Sequence, residues 1–98
     1  MNFELPNERG FTIYTKPKCG YCEKAKELLK NENNIYKIID CDNYCFHHRN
    51  DFISFMKNKT NNTWNNTFPI IFHNEKYIGG FTDLVKYIEN LNIFSSNF

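Results

Sequence analysis

A chain of 98 residues with a formal net charge of +1 has room for one core and carries no excess charge that would draw it to nucleic acid or a membrane surface. An aromatic content of 17% supplies enough apolar area for that core without metal or disulfide staples. No stretch approaches the roughly 20 apolar residues of a membrane-spanning helix. Residues 1–9 have neither the layout of a signal peptide nor that of a transit peptide, so the expectation is a cytoplasmic protein without nucleic-acid or membrane partners.

Residues 1–9 read as an N-terminal extension and residues 10–98 as the single domain. Phe11-Thr12-Ile13-Tyr14 alternates and is rich in β-formers, so it reads as a strand that Lys16-Pro17-Lys18 interrupts. From Tyr21 to about Asn31 the period becomes helical, with Cys22, Ala25, Leu28 and Leu29 on one face; the Asn31–Asn34 cluster stops it. Ile35–Ile39 is a second strand, and two strands joined by a helix form a parallel, right-handed βαβ unit. Phe52, Ile53, Phe55 and Met56 then indicate an amphipathic helix over Arg49–Lys59, followed by a polar loop over Thr60–Asn66.

Pro69–His73 is a third strand, Asn74-Glu75 a tight hairpin turn, and Lys76–Ile78 a fourth strand ended by Gly79-Gly80. A last helix runs from Thr82 to about Asn92 with Leu84, Val85, Ile88 and Leu91 inward. Thr82 suits its N-cap and Asp83 the positive end of its dipole. The order β-α-β-α-β-β-α gives an α/β fold: a mixed four-stranded sheet covered by helices on both faces.

Cys19-Gly20-Tyr21-Cys22 falls where a strand gives way to a helix, which is a redox signature. Two cysteines about one turn apart can satisfy the geometry of a disulfide. The unpaired N–H groups and dipole of the first turn stabilise a thiolate at Cys19, and Lys16 and Lys18 add positive charge. Cys19 is therefore the attacking sulfur, and Cys22, on the face of Ala25 and Leu29, the resolving one. Two ordinary buried thiols are the plain alternative, which Gly20 and the lysines suit poorly. With Cys41 and Cys45, and His47 and His48 beyond, the pair also approximates a four-ligand zinc site. Against zinc, the first pair opens an amphipathic helix rather than a metal knuckle. Otherwise Cys41 and Cys45 are two extra thiols, and His47 and His48 solvated residues near a helix start.

Three motifs in order (Lys16-Pro17-Lys18-Cys19-Gly20-Tyr21-Cys22, Thr67-Phe68-Pro69 and Gly79-Gly80-Phe81-Thr82-Asp83) resemble the glutaredoxin family. The resemblance runs from Phe11 to about Leu91. It implies a thioredoxin-like fold with sheet order 2-1-3-4. It also implies a cis peptide bond at Pro69, opposite Cys19, which turns the Phe68 backbone outward to pair with an extended peptide. On the residues alone, Pro69 reads equally as a proline opening an edge strand.

The activity implied is a glutathione-dependent thiol–disulfide oxidoreductase acting on glutathione mixed disulfides and protein disulfides, with glutathione as co-substrate. Its partners would be glutathionylated or disulfide-containing proteins. Lys16 would pair with the glycine carboxylate and Tyr21 would flank the site. Thr67 and Phe68, beside Pro69, would hold the cysteinyl part, while Gly80, Thr82 and Asp83 would receive the γ-glutamyl end. Thr82 and Asp83 serve equally as plain helix caps, and Arg49 stays outside the set. Two departures stand out: Gly20 where many members carry proline, and Phe68 where valine is usual. Because family members with a small residue at the position of Gly20 can hold an iron–sulfur cluster, the resemblance also implies an alternative to a monomeric reductase. It is a dimeric carrier or sensor with a [2Fe–2S] cluster bound by Cys19 and completed by glutathione.

Overall fold

Every residue of the first strand, Phe11–Thr15, is buried, because it lies inside a sheet covered on both faces. The computed structural model describes residues 2–32 and 34–96. Met1 of the N-terminal extension, Asn33 of the Asn31–Asn34 stop and residues 97–98 of the domain lie outside the described residues. The elements are β1 (Phe11–Thr15), α1 (Gly20–Asn31), β2 (Tyr36–Asp40), α2 (Asp42–His47), α3 (Arg49–Lys59), β3 (Ile70–His73), β4 (Lys76–Gly79) and α4 (Phe81–Ser96). The sheet order is β2-β1-β3-β4, with β1–β2 parallel and the other two pairs antiparallel. The expected thioredoxin-like sheet is therefore present.

Side-chain alternation along β1 and β3 feeds two cores. Phe11, Ile13 and Ile71 pack with Ala25 and Leu29 of α1 and Leu84 and Ile88 of α4. Tyr14, Ile70 and Phe72 point the other way, into Phe52 and Met56 of α3 and Trp64 of the following loop. Phe3 closes this second core, with its ring 5.5 Å from Phe52 and 5.1 Å from Phe55. The Tyr14 hydroxyl donates to the Glu4 carbonyl at 2.6 Å, and Lys37 pairs with Glu4 at 2.8 Å. The segment before β1 is thus neither helical nor frayed at Phe3, but tied down by an aromatic anchor.

The hairpin turn is as expected. Asn74 and Glu75 both take positive φ, 49° and 69°, the geometry of a two-residue turn matched to strand twist. Asn74 Oδ1 also accepts from Gly10 N at 2.8 Å, which fixes the turn against the start of β1. The Arg49–Lys59 helix has the expected bounds.

Three expectations are corrected. A short additional helix, α2, precedes α3; Tyr44 and Cys45 pack only partly buried against the second core, and six residues are too few to show an apolar stripe in the sequence. Ile35 lies outside β2 and is exposed, and β2 instead extends to Asp40 at the sheet edge. Leu91 is 41% exposed rather than inward. The 16 residues of α4 span about 24 Å, whereas its neighbouring strand β4 has 4 residues, roughly 13 Å. The helix is too long for the sheet to cover. Among the described residues no helix is long and apolar enough to cross a membrane.

Candidate active site

The first helix begins where β1 leaves the core. Lys16, Pro17 and Lys18 form an exposed turn, with Lys18 at φ 57°, and Cys19 caps α1 in an extended conformation. Cys19 Sγ accepts from Cys22 N at 3.2 Å, so the sulfur satisfies one of the otherwise orphaned donors of the first turn. Cys19 and Cys22 are joined as a disulfide across a Cα–Cα distance of 5.2 Å. The pair is unequal: Cys22 is fully buried beside Ala25 on the inner face of α1, whereas Cys19 is half-buried.

Opposite the pair, the Phe68–Pro69 peptide bond is cis, and the Phe68 carbonyl oxygen lies 3.7 Å from Cys19 Sγ. The segment leading to it is held by two side chains that the sequence did not single out. Trp64 Nε1 donates to the Thr67 carbonyl at 2.8 Å, and the Thr67 hydroxyl donates to Asn65 Oδ1 at 2.6 Å. A buried indole with its N–H satisfied makes a rigid anchor.

Seven of the ten residues assigned to the site line one cleft of about 510 Å³: Tyr21, Thr67, Phe68, Pro69, Gly80, Thr82 and Asp83. Tyr21 is 59% exposed and stacks on Phe81, with ring centroids 6.1 Å apart and planes at 29°. At the far end, Thr82 is not the N-cap. The Gly80 carbonyl accepts from Leu84 N at 3.0 Å, and Asp83 Oδ2 accepts from Gly80 N at 3.1 Å. Gly80 is therefore the cap, Asp83 folds back on it as in a capping box, and Thr82 sits in the first turn. Asp83 also raises the Tyr77 hydroxyl's pKa, after the larger effect of that residue's burial.

Lys16 lies apart from this cleft. It lines a smaller one, about 280 Å³, on the other side of Phe68, with Cys45, Arg49, Phe52, Trp64 and Asn66. Phe68 belongs to both clefts and stands between them. Arg49, left outside the set on sequence, thus shares a cleft with Lys16. Its place on the exposed face of a helix gave no periodic signal, and only the packing of α3 against Phe68 brings it there.

Cys41 and Cys45 are free thiols. Burial pushes both thiol pKa values up; for Cys45, Asp42 and Asp40 add to the rise, while Lys16 and Arg49 oppose it. Cys41 is fully buried, and its Sγ donates to the Ile39 carbonyl at 3.6 Å. Among the described residues no three His, Cys, Asp or Glu side chains converge as a metal site, so the four-cysteine zinc arrangement is not assembled. His47 is exposed at the end of α2, and His48 caps α3.

A two-faced four-stranded sheet, a cysteine pair capping its first helix and a cis-proline facing the outer sulfur define the class of dithiol proteins with a thioredoxin-like fold. A glutaredoxin family profile matches residues 11–78. Glutaredoxin 1 of Rickettsia typhi is 39% identical over 72 residues, covering 74% of this chain and 64% of the relative. A probable glutaredoxin of Acanthamoeba polyphaga mimivirus is 33% identical over 82 residues, covering 81% of this chain and 77% of the relative. The solved structure of reduced Escherichia coli glutaredoxin superposes with a TM-score of 0.62 at 30% identity, covering 84% of this chain and 96% of that one. The chain belongs to the glutaredoxin family. It spans just under two thirds of the Rickettsia protein's length.

Proposed function

We propose that the protein is a glutathione-dependent thiol–disulfide oxidoreductase that reduces glutathione mixed disulfides and protein disulfides. The observation that carries this reading is the unequal cysteine pair: a half-buried Cys19 on a helix N-terminus and a fully buried Cys22 one turn on. In the reduced state, the first-turn N–H groups stabilise negative charge on Cys19 Sγ. That thiolate attacks the glutathione sulfur of a mixed disulfide; the S–S bond breaks and the target leaves as its thiolate. A second glutathione then attacks the Cys19–glutathione bond, releasing Cys19 and glutathione disulfide. With a protein disulfide as substrate, Cys19 attacks one of its sulfurs and the other leaves as a thiolate; Cys22 then attacks the Cys19–protein bond, the protein leaves as its second thiolate, and two glutathione molecules reduce the resulting Cys19–Cys22 disulfide and leave as glutathione disulfide.

Glutathione would lie across the Phe68 ridge. Its γ-glutamyl end would meet Gly80, Thr82 and Asp83, where a helix N-terminus receives a carboxylate and Asp83 faces an amino group. Its cysteinyl part would pair with the Phe68 backbone beside Thr67 and Pro69. Its glycine carboxylate would meet Lys16, joined by Arg49, while Tyr21 flanks the target. Two free thiols, Cys41 and Cys45, fit a reducing compartment such as the cytoplasm. The partners are glutathione and proteins carrying glutathionylated or disulfide-bonded cysteines, met by a monomer.

One observation favours a second reading. Gly20 is exposed and a Cβ there would meet nothing within 4 Å, so no side chain of this protein obstructs the helix start at which a [2Fe–2S] cluster shared between two copies would sit. Cys19 would be this chain's ligand, and glutathione thiolates would complete the set. Visible absorption after anaerobic reconstitution that depends on Cys19 and glutathione would support it; a colourless protein would reject it.

The test of the main reading is glutathione-dependent reduction of a small mixed disulfide by wild type, Cys19→Ser and Cys22→Ser. Turnover should vanish with Cys19→Ser and persist with Cys22→Ser. Full activity in Cys19→Ser would overturn the assignment.

A further inference from the structure

We infer that the Phe68 side chain is a positioning residue: its ring holds the Lys16 ammonium in place for the anionic end of the bound glutathione. The inference rests on the glutathione reading above and deepens it. Lys16 Nζ lies 5.4 Å from the Phe68 ring centroid, within range of the ring's negative face. Lys16 takes part in neither ion pair found among the described residues, Lys26–Glu23 and Lys37–Glu4, so no carboxylate among those residues fixes its position.

The platform under the ammonium is itself immobilised. Phe68 lies parallel to Phe52, with centroids 6.2 Å apart and planes at 10°, and meets Trp64 edge-on at 6.2 Å and 87°. Phe52 and Trp64 belong to the second core, and the Trp64 indole also holds the Thr67 carbonyl, one residue before Phe68. One residue therefore serves the site twice. Its backbone carbonyl sits 3.7 Å from Cys19 Sγ, and its ring carries the cation of the neighbouring cleft. A free lysine loses its full rotamer freedom when a ligand orders it. An ammonium already resting on a fixed ring loses less, and the difference appears as affinity. Aliphatic residues at this position have no π face to offer.

The test uses S-methylglutathione, which carries the tripeptide's charges but has no thiol to exchange. Binding to the reduced protein is followed by NMR titration in wild type, Phe68→Leu, Phe68→Tyr, Lys16→Met and the Lys16→Met/Phe68→Leu double variant. Phe68→Leu should raise Kd about two- to five-fold, as an exposed cation–π contact of ordinary strength predicts. Phe68→Tyr, which keeps the π face, should restore wild-type affinity. In the Lys16→Met background, Phe68→Leu should have no further effect. An unchanged Kd in Phe68→Leu, or an equal loss with and without Lys16, would overturn the inference, the latter because it marks loss of packing rather than of the cation's seat. If wild type binds no S-methylglutathione at all, both this inference and the glutathione reading fall. If wild type binds and Phe68→Leu matches it, only this inference does.

Discussion

Gly79→Ala tests how the far end of the cleft is built. Gly79 ends β4 with φ at 134°, a conformation side chains rarely adopt, and a Cβ there would stand 2.7 Å from Asp83 Cγ and 2.8 Å from Asp83 Cβ. The clash is with the start of a side chain, which cannot swing clear without moving α4. Forcing a non-glycine residue into such a conformation costs about 1–3 kcal/mol. Displacing Asp83 from Gly80 N removes one half of a capping box, worth about 0.3–1.5 kcal/mol. The expected destabilisation is roughly 2–4 kcal/mol, which for a domain of this size lowers Tm by about 10–25 °C. Thermal and urea unfolding followed by circular dichroism would measure it, with KM for a glutathionylated peptide measured below the transition. KM should rise, because Gly80 and Asp83 leave their places together. A Gly79→Ala protein whose Tm lies within about 2 °C of wild type would refute the reasoning, since neither strain nor a displaced cap could then exist.

Other perturbations separate local from tertiary effects. Gly20→Pro should fold and gain about 0.4–1 kcal/mol in urea unfolding, because Gly20 opens α1, Cys19 before it is already extended, and the space is empty; a loss of stability would contradict this account of the helix start. Burial lowers the pKa of His73 from its ordinary value near 6.5, and Nδ1 pairs with the Tyr87 hydroxyl at 2.6 Å. Below pH 6.5 the unfolded chain therefore binds more protons at this site than the folded one does, so stability falls as pH drops through that window. Urea midpoints of wild type and His73→Gln should converge as pH is lowered from 7 to 5; parallel curves would show that His73 titrates alike in both states. In the reduced protein, iodoacetamide at neutral pH should label Cys19 first and Cys45 slowly, sparing Cys22 and Cys41. Burial raises the Cys45 thiol's pKa, so its labelling should quicken with rising pH. Peptide mass mapping would check the order, and prior labelling of Cys45 would count against it.

Much of this protein is written in local pattern. The alternation of β1, the apolar run of β3, the apolar face of α1, the bounds of α3 and the Asn74-Glu75 turn each depend on neighbours a few residues apart, so they can be read without the fold. The cysteine pair is local in the same sense. One turn of helix decides which sulfur faces out, and the assignment of Cys19 and Cys22 follows. α2 leaves no readable stripe because it is six residues long and none of them is fully buried. Thr82 looked like a cap because propensity favours threonine there, but Asp83 reaching back to Gly80 N outweighs propensity and moves the helix start upstream. The anchoring of Phe3, the sharing of a cleft by Lys16 and Arg49, and the seating of Lys16 on Phe68 join residues far apart in the chain. Those contacts exist only once the two faces of the sheet have been filled. Spacing along the chain determines which groups carry the chemistry, whereas packing across it decides what each of them touches.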